Sequence, residues 1–328
     1  MMISLPSANL PLSQPKIEAK APENLQLSAN ENSFPAPTSA YLQAAISNNT
    51  RRAYRSDLAH FTQWGGIIPA GPEVVTAYIT HYAGIVKATT LARRLVSIGR
   101  AHTSQGLANP CGHDLVRATL RGIRRIHGVA SRQVAPAVRE DMLQMVEGLH
   151  GIKGVRDRAL LLLGFAGAFR RSELVSLTVA DLEFVDRGLI VHLRRSKTDQ
   201  EGVGRKIAIP FARGSVCPVQ AIRDWLTTSG ISDGPLFRPV TRHGRIDPSP
   251  LSGHAVAEIV KARARAAGLN PANYSGHSLR AGLITSAAML GVSVWKIKAQ
   301  SGHRTDAMVT RYVRDADLFT SNAAGAVL

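Results

Sequence analysis

Cysteine is nearly absent: the 328 residues include only Cys111 and Cys217. They lie far apart and outside any ligand pattern, which excludes a disulfide framework and a cysteine zinc site and points to a reducing compartment. Long apolar runs are missing as well. No stretch of 18 apolar residues occurs, and the start of the chain has no basic segment followed by an apolar run, so neither a membrane span nor a secretory leader is expected. Acidic residues are scarce, 23 against 40 lysines and arginines, for a net charge of +17. An excess of one sign this large points to a polyanionic partner, nucleic acid ahead of a membrane surface. Apolar residues still make up 45% of the chain, enough to bury the cores of two ordinary domains.

Residues 1–45 hold six of the seventeen prolines and few large apolar side chains, a composition that predicts a flexible arm. From residue 46 to 127 the pattern is helical. In "TRRAYRSDLAHFTQW", a capping-type Thr50 precedes Tyr54, Leu58 and Phe61 at helical spacing, with Arg51, Arg52 and Arg55 in the first turns. In "DLVRATLRGIRRIHG", Val116, Leu120 and Ile123 form one face and Arg117, Arg121 and Arg124 its neighbour, with Arg125 beside them. "TTLARRLVSIGRAH" repeats the theme with Arg93 and Arg94. These arginines are either a solvated face or a phosphate-contacting one. Residues 46–135 carry twelve basic residues against three acidic ones, an imbalance that favours DNA contact. Residues 128–138 have no helical period and read as an extended linker. A second domain is expected over 139–328, with an apolar helix in "RDRALLLLGFAG" and a β-hairpin in "GLIVHLRRSKTDQEGVGRKIAIPF". Further helices are expected near 218–228, 252–267, 277–290 and 293–300.

Several side chains of the second domain could do chemistry. Arg170 lies at a turn between helices, with Glu173 three residues on and able to hold its guanidinium; alone, it could equally be a surface arginine. Lys197 sits in the hairpin loop, where a lysine is solubilising or a mobile proton donor. His277 and Arg280 face one side of a helix start, a good anion site, although a structural histidine fits the same spacing. No carboxylate or thiolate stands at ligand spacing beside His277 or His303, so no metal site is expected. Tyr312 lies nine residues after His303 and could be a packed aromatic. Taken together, the ordered set Arg, Lys, His-x-x-Arg, His, Tyr is what metal-free phosphoryl transfer needs. Arginines neutralise the developing charge, a lysine or histidine protonates the leaving oxygen, and a phenol attacks.

On "GAFRRSELVSL", "RRSKTDQEG", "HSLRAG" and "SGHRTDAMVTRY", the chain resembles the tyrosine recombinase (phage integrase) family, which includes the lambda integrase and Cre types. The resemblance implies a mainly α fold with a small β-hairpin or sheet. An N-terminal all-helical, SAM-like core-binding domain and an α+β catalytic domain would close on DNA as a C-shaped clamp. It also implies roles. Arg170 and Arg280 would clamp the scissile phosphate, with Glu173 supporting the first. His277 would assist proton transfer, Lys197 would be the general acid, His303 would hydrogen-bond the phosphate, and Tyr312 would be the nucleophile. Lys206, across the same hairpin, stays open as an alternative acid. Ala281 stands after Arg280 where many relatives have histidine.

By the same resemblance, the function is site-specific recombination of double-stranded DNA through a 3′-phosphotyrosine and a Holliday junction, without cofactor. Four identical protomers would act on two recombination sites, with the apolar tail 315–328 docking on a neighbour. A bacterial, nucleoid-associated cytoplasmic location and a mobile-element origin are expected. The alternatives are a type IB topoisomerase, which would relax supercoils without exchanging strands, and a non-catalytic DNA-binding regulator of the same fold.

Overall fold

The computed structural model describes residues 41, 45–129, 134–194, 199 and 203–316. Most of the expected arm, the loop residue Lys197 and the tail from 317 onward lie outside the described residues. The chain divides into two compact units, residues 1–131 and 132–328.

The first unit is built of four helices among its described residues: α1 (Asn48–Trp64), α2 (Pro72–His81), α3 (Ala88–Thr103) and α4 (Asp114–His127). Each contributes one apolar stripe. Leu58 and Phe61 of α1, Val75 and Tyr78 of α2, Leu91 and Ile98 of α3, and Val116 and Ile123 of α4 meet in one core. The cap of α1 differs from the expected one. Ser47 is the residue in extended conformation before the helix, and its hydroxyl accepts from the Thr50 N–H at 3.2 Å. Thr50 is thus the third helical residue, the usual receiver of an N-cap bond.

In the second unit, α5 (Arg139–Met145) and α6 (Gly151–Ala166) lead into the short α7 (Arg171–Ser176). Ala159, Leu160, Leu161, Leu162 and Leu163 are all buried in α6, because it packs against α8 (Pro218–Ser229) and α10 (Ser278–Met289) at once. From Ala159 on this helix is apolar all round, the mark of a central helix. Between α7 and α8 runs an antiparallel sheet in the order β1 (Leu182–Val185), β2 (Gly188–Leu193), β3 (Arg205–Pro210). The register sets Val191 opposite Ile207 and Leu189 opposite Ile209, all four buried. Strand β1 was not expected: only two of its four residues are even partly buried, so it carries little apolar signal. The helices α9 (Gly253–Ala266), α11 (Val294–Ser301) and α12 (Asp306–Ala316) complete the unit.

The expected linker ends inside this second unit. Ala135 N–H donates to the Asn273 carbonyl at 2.7 Å and Ala137 N–H to that of Ser278 at 3.0 Å. Ala137 is fully buried against α10. A β-carbon at Gly282 would lie 1.8 Å from the Ala137 carbonyl oxygen, so glycine is what lets this segment lie on the helix that carries Arg280. Pairing along a helix flank has no signature in hydrophobic period, and the segment therefore read as loop.

Candidate active site

Arg170 is the N-cap of α7, and its neighbour three residues on holds it twice. Glu173 Oε1 accepts from Arg170 Nη1 at 2.6 Å while Oε2 accepts from the Arg170 backbone N–H at 2.9 Å. Glu173 is 2% exposed, so the carboxylate is committed to this cluster and the guanidinium is fixed in direction. The turn before it is unusual. Ala168 has φ +48°, a left-handed conformation that costs a β-carbon-bearing residue about 1 kcal/mol. The reason is visible across the turn, where the Ala168 carbonyl accepts from Arg280 Nη1 at 2.6 Å.

Arg280 lies in the first turn of α10 and is 1% exposed. Its Nη2 donates toward His303 Nε2 at 3.2 Å, and His303 Nδ1 is 2.8 Å from Ser301 Oγ. Burial, with the charges of Arg170 and Arg205 beside it, pushes the Arg280 guanidinium down to about 10, so it stays charged. Burial, then the charges of Arg280, Arg170 and Arg205, push His303 down to about 4. His303 is therefore neutral at pH 7 and able to accept from Arg280. His277, at the mouth of α10, is lowered by desolvation and then by Arg280 and Arg170. Its Nε2 stands 3.0 Å from the Tyr312 hydroxyl. Tyr312 is on α12, its ring beside Val309 and 6.0 Å from the His303 ring. Helix α12 packs against α10 and α11, which delivers the phenol to the two histidines.

The structure thus brings together six of the residues singled out from sequence: Arg170, Glu173, His277, Arg280, His303 and Tyr312. Lys197 lies outside the described residues, and Lys206 is an exposed residue of β3 opposite His192. One neighbour was missed. Arg205, the first residue of β3, is 23% exposed with Nη2 3.9 Å from Glu173 Oε2. Two-residue alternation could have found it, because Arg205 shares its strand face with the buried Ile207 and Ile209. Two guanidiniums, of Arg170 and Arg205, approach one carboxylate while a third, of Arg280, is turned to the Ala168 carbonyl and His303, a surplus of positive charge suited to a phosphodiester. Among the described residues no group of three or more His, Cys, Asp or Glu could hold a metal ion.

The low His303 value predicts a pH effect. Between its unfolded value of 6.5 and its folded value of about 4, the unfolded chain takes up a proton that the folded one refuses. Stability from this group is complete above 6.5 and is lost as pH falls through that window, by up to ~3 kcal/mol. Urea unfolding at pH 7 and pH 4.5 should show a smaller acid loss in His303→Gln than in wild type; equal losses would contradict this assignment.

In the first unit the arginines sort into two groups. Arg117, Arg121, Arg124 and Arg125 of α4 are exposed, as are Arg52 and Arg55 of α1, while Arg51 is half-buried with Nη2 2.9 Å from Asn48 Oδ1. Arg93 and Arg94 differ from these in standing beside an acid, although Arg93 stays exposed. Arg93 makes a bidentate pair with the buried Asp57 at 2.6 and 3.0 Å, and Arg94 is 12% exposed, over the Tyr82 ring. Asp57 draws both toward the α1–α3 seam, which a helical spacing of charges does not reveal.

A phenol, two imidazoles and nearby guanidiniums are the groups that phosphoryl transfer to a tyrosine calls for. The "Phage integrase family" model matches residues 134–318. An "Integrase/recombinase xerD homolog" of Selenomonas ruminantium is 39% identical over 293 residues, 86% of each chain. "Tyrosine recombinase XerC" of Rickettsia typhi is 24% identical, over 83% of this chain and 88% of that one. Among solved structures, XerH recombinase in a post-cleavage complex with palindromic difH substrate superposes with a TM-score of 0.63 at 14% identity, covering 90% of this chain and 85% of that one. A lambda integrase dimer bound to a COC′ core site gives 0.59 at 17% identity, over 82% and 73%. At those identities the likeness shows the fold. The chain belongs to the phage integrase family, the tyrosine-type site-specific recombinases. No helix among the described residues is long and apolar enough to cross a membrane.

Proposed function

We propose that the protein cleaves and rejoins double-stranded DNA at specific recombination sites, with Tyr312 as nucleophile. The observation that carries this reading is the 3.0 Å contact between the Tyr312 hydroxyl and His277 Nε2 beside the buried Arg280. The neutral His277 accepts the phenolic proton as the tyrosine oxygen bonds to the scissile phosphorus. The P–O5′ bond breaks, leaving a 3′-phosphotyrosine, and Lys197 gives the departing 5′-oxygen its proton. β-alternation turns Lys206 to the face opposite Arg205, which favours Lys197 for that task. Arg170 and Arg280 hold the non-bridging oxygens, and His303 hydrogen-bonds the phosphate, whose negative charge favours a protonated ring. Attack by a partner strand's 5′-hydroxyl reverses the step at nearly equal free energy, so exchange needs no nucleotide. Two such rounds pass through a Holliday junction.

The exposed arginines of α1 and α4 supply phosphate contacts in this reading, with the first unit as the DNA-binding domain and the second as the catalytic one. The protein would work on nucleoid DNA in the bacterial cytoplasm. Two plasmids bearing the site flanking the gene should yield joined recombinants with purified protein. Supercoil relaxation without recombinants would indicate topoisomerase action instead, and binding without either would indicate a regulator.

Four protomers would assemble on two sites. An apolar groove of about 450 Å³ in the second unit, lined among others by Met142, Phe165, Phe211, Leu283 and Ile297, suits the tail of a neighbouring copy, whose residues include Leu318, Phe319, Val327 and Leu328. Deleting residues 317–328 should leave single-site binding within about twofold, because that affinity comes mainly from phosphate contacts. It should also abolish the four-protomer complex in gel filtration on DNA; an intact complex would contradict tail docking.

A further inference from the structure

Arg205 makes contacts that neither its strand nor the exchange chemistry requires. Its Nη1 donates to the Gln300 carbonyl at 2.8 Å and toward that of Ala299 at 3.5 Å, and its Nη2 reaches toward the Ser301 carbonyl at 3.5 Å. These three carbonyls are the C-terminal end of α11, where helical acceptors lack partners and a cation is favoured. The same Nη2 lies 3.9 Å from Glu173 Oε2, the carboxylate that holds Arg170.

The turn that follows is shaped around this guanidinium. Gly302 has φ +67°, and a β-carbon there would sit 2.9 Å from Arg205 Cζ. The next residue is His303, anchored by Ser301 and receiving Arg280. On the other side, Gly204 and Val203 donate their N–H groups to the Asp199 carboxylate at 2.7 and 3.1 Å. That contact closes the base of the hairpin whose loop contains Lys197 in the sequence.

We propose that Arg205 is a positioning residue for strand cleavage: it ties the hairpin base and the Glu173–Arg170 pair to the α11 end, and so sets His303, Arg280 and the approach of the Tyr312 helix. Its own charge adds to the surplus that lowers His303 and Arg280. Lysine cannot replace it. An ammonium can cap α11 or approach Glu173 but has no planar fork to join the two.

The proposal rests on the recombinase reading, and the test separates the two. Single-turnover formation of the covalent adduct on a nicked recombination-site substrate is followed at increasing protein, in wild type, Arg205→Met and Arg205→Lys, with thermal unfolding measured alongside. At saturation the Met variant should be slower by roughly 10- to 100-fold, with half-saturation moved by less than about twofold, since one exposed phosphate contact would shift affinity instead. The Lys variant should fall between it and wild type. Wild-type rates at saturation in both variants would overturn the proposal, as would a loss confined to half-saturation, which would make Arg205 a DNA contact. If the Met variant lacks the native melting transition, the Lys variant decides: slowed cleavage at saturation supports the proposal and a wild-type rate overturns it. Absence of adduct in wild type itself would remove the recombinase reading and this proposal together, an outcome distinct from equal rates in all three proteins.

Discussion

Tyr312→Phe is expected to abolish covalent attachment to DNA while leaving DNA affinity within about twofold of wild type, because the phenol adds no charge to the phosphate contacts that dominate binding. The ring lies against Ile284, Ile297 and Val309, and phenylalanine fills the same space. The one hydrogen bond lost, to His277, should cost stability about 0.5–1.5 kcal/mol. The variant therefore separates nucleophile from scaffold. Denaturing-gel detection of the adduct, with mobility shift on the same samples, gives both numbers. A Tyr312→Phe protein that still formed adduct at more than a trace level would place the nucleophile elsewhere.

Arg280→Ala should be the other severe variant, and for two reasons at once. It removes a preorganised charged donor from the place where phosphoryl charge develops, a loss of roughly 10²–10³ in cleavage rate. It also empties a site 1% exposed and strips the Ala168 carbonyl of its 2.6 Å partner, which together should cost about 2–4 kcal/mol. Removing the charge should raise the His303 pKa from about 4, since Arg280 is one of the groups holding it down. Adduct formation by folded protein, compared with urea unfolding of the same preparation, resolves the two effects. Cleavage within tenfold of wild type would contradict the clamp role.

The helical half of this account was legible because it depends on local period. Val116 and Ile123 face inward and Arg117, Arg121 and Arg124 outward, as spacings of three and four require. His277, Arg280, His303 and Tyr312 are legible only as an ordered set, since each alone also fits a structural role; the structure brings the four together. What escaped depends on contacts distant in sequence. Arg205 meets carbonyls 94 to 96 residues later, and nothing next to it announces them. Arg94 shares the spacing of the basic residues around it, and nothing in that spacing shows that its Nε lies 3.9 Å from Asp57 Oδ1, 37 positions earlier. Ala168 has no sequence mark of a left-handed turn; the Arg280 hydrogen bond holds it there. Strand β1 is short and half-exposed, so alternation had little to register. Ser47 lost the cap assignment to Thr50 because both are capping types, and only the backbone angles tell them apart.

In the proposed reaction a single phenol carries the DNA. The most direct measurement is to trap the adduct on a nicked site without metal or nucleotide, digest protein and DNA, and locate the modified residue by mass spectrometry. The expected product is a nucleotide esterified through its 3′-phosphate to Tyr312 and to no other side chain. A nucleotide on another residue, or attachment through a 5′-phosphate, would contradict it.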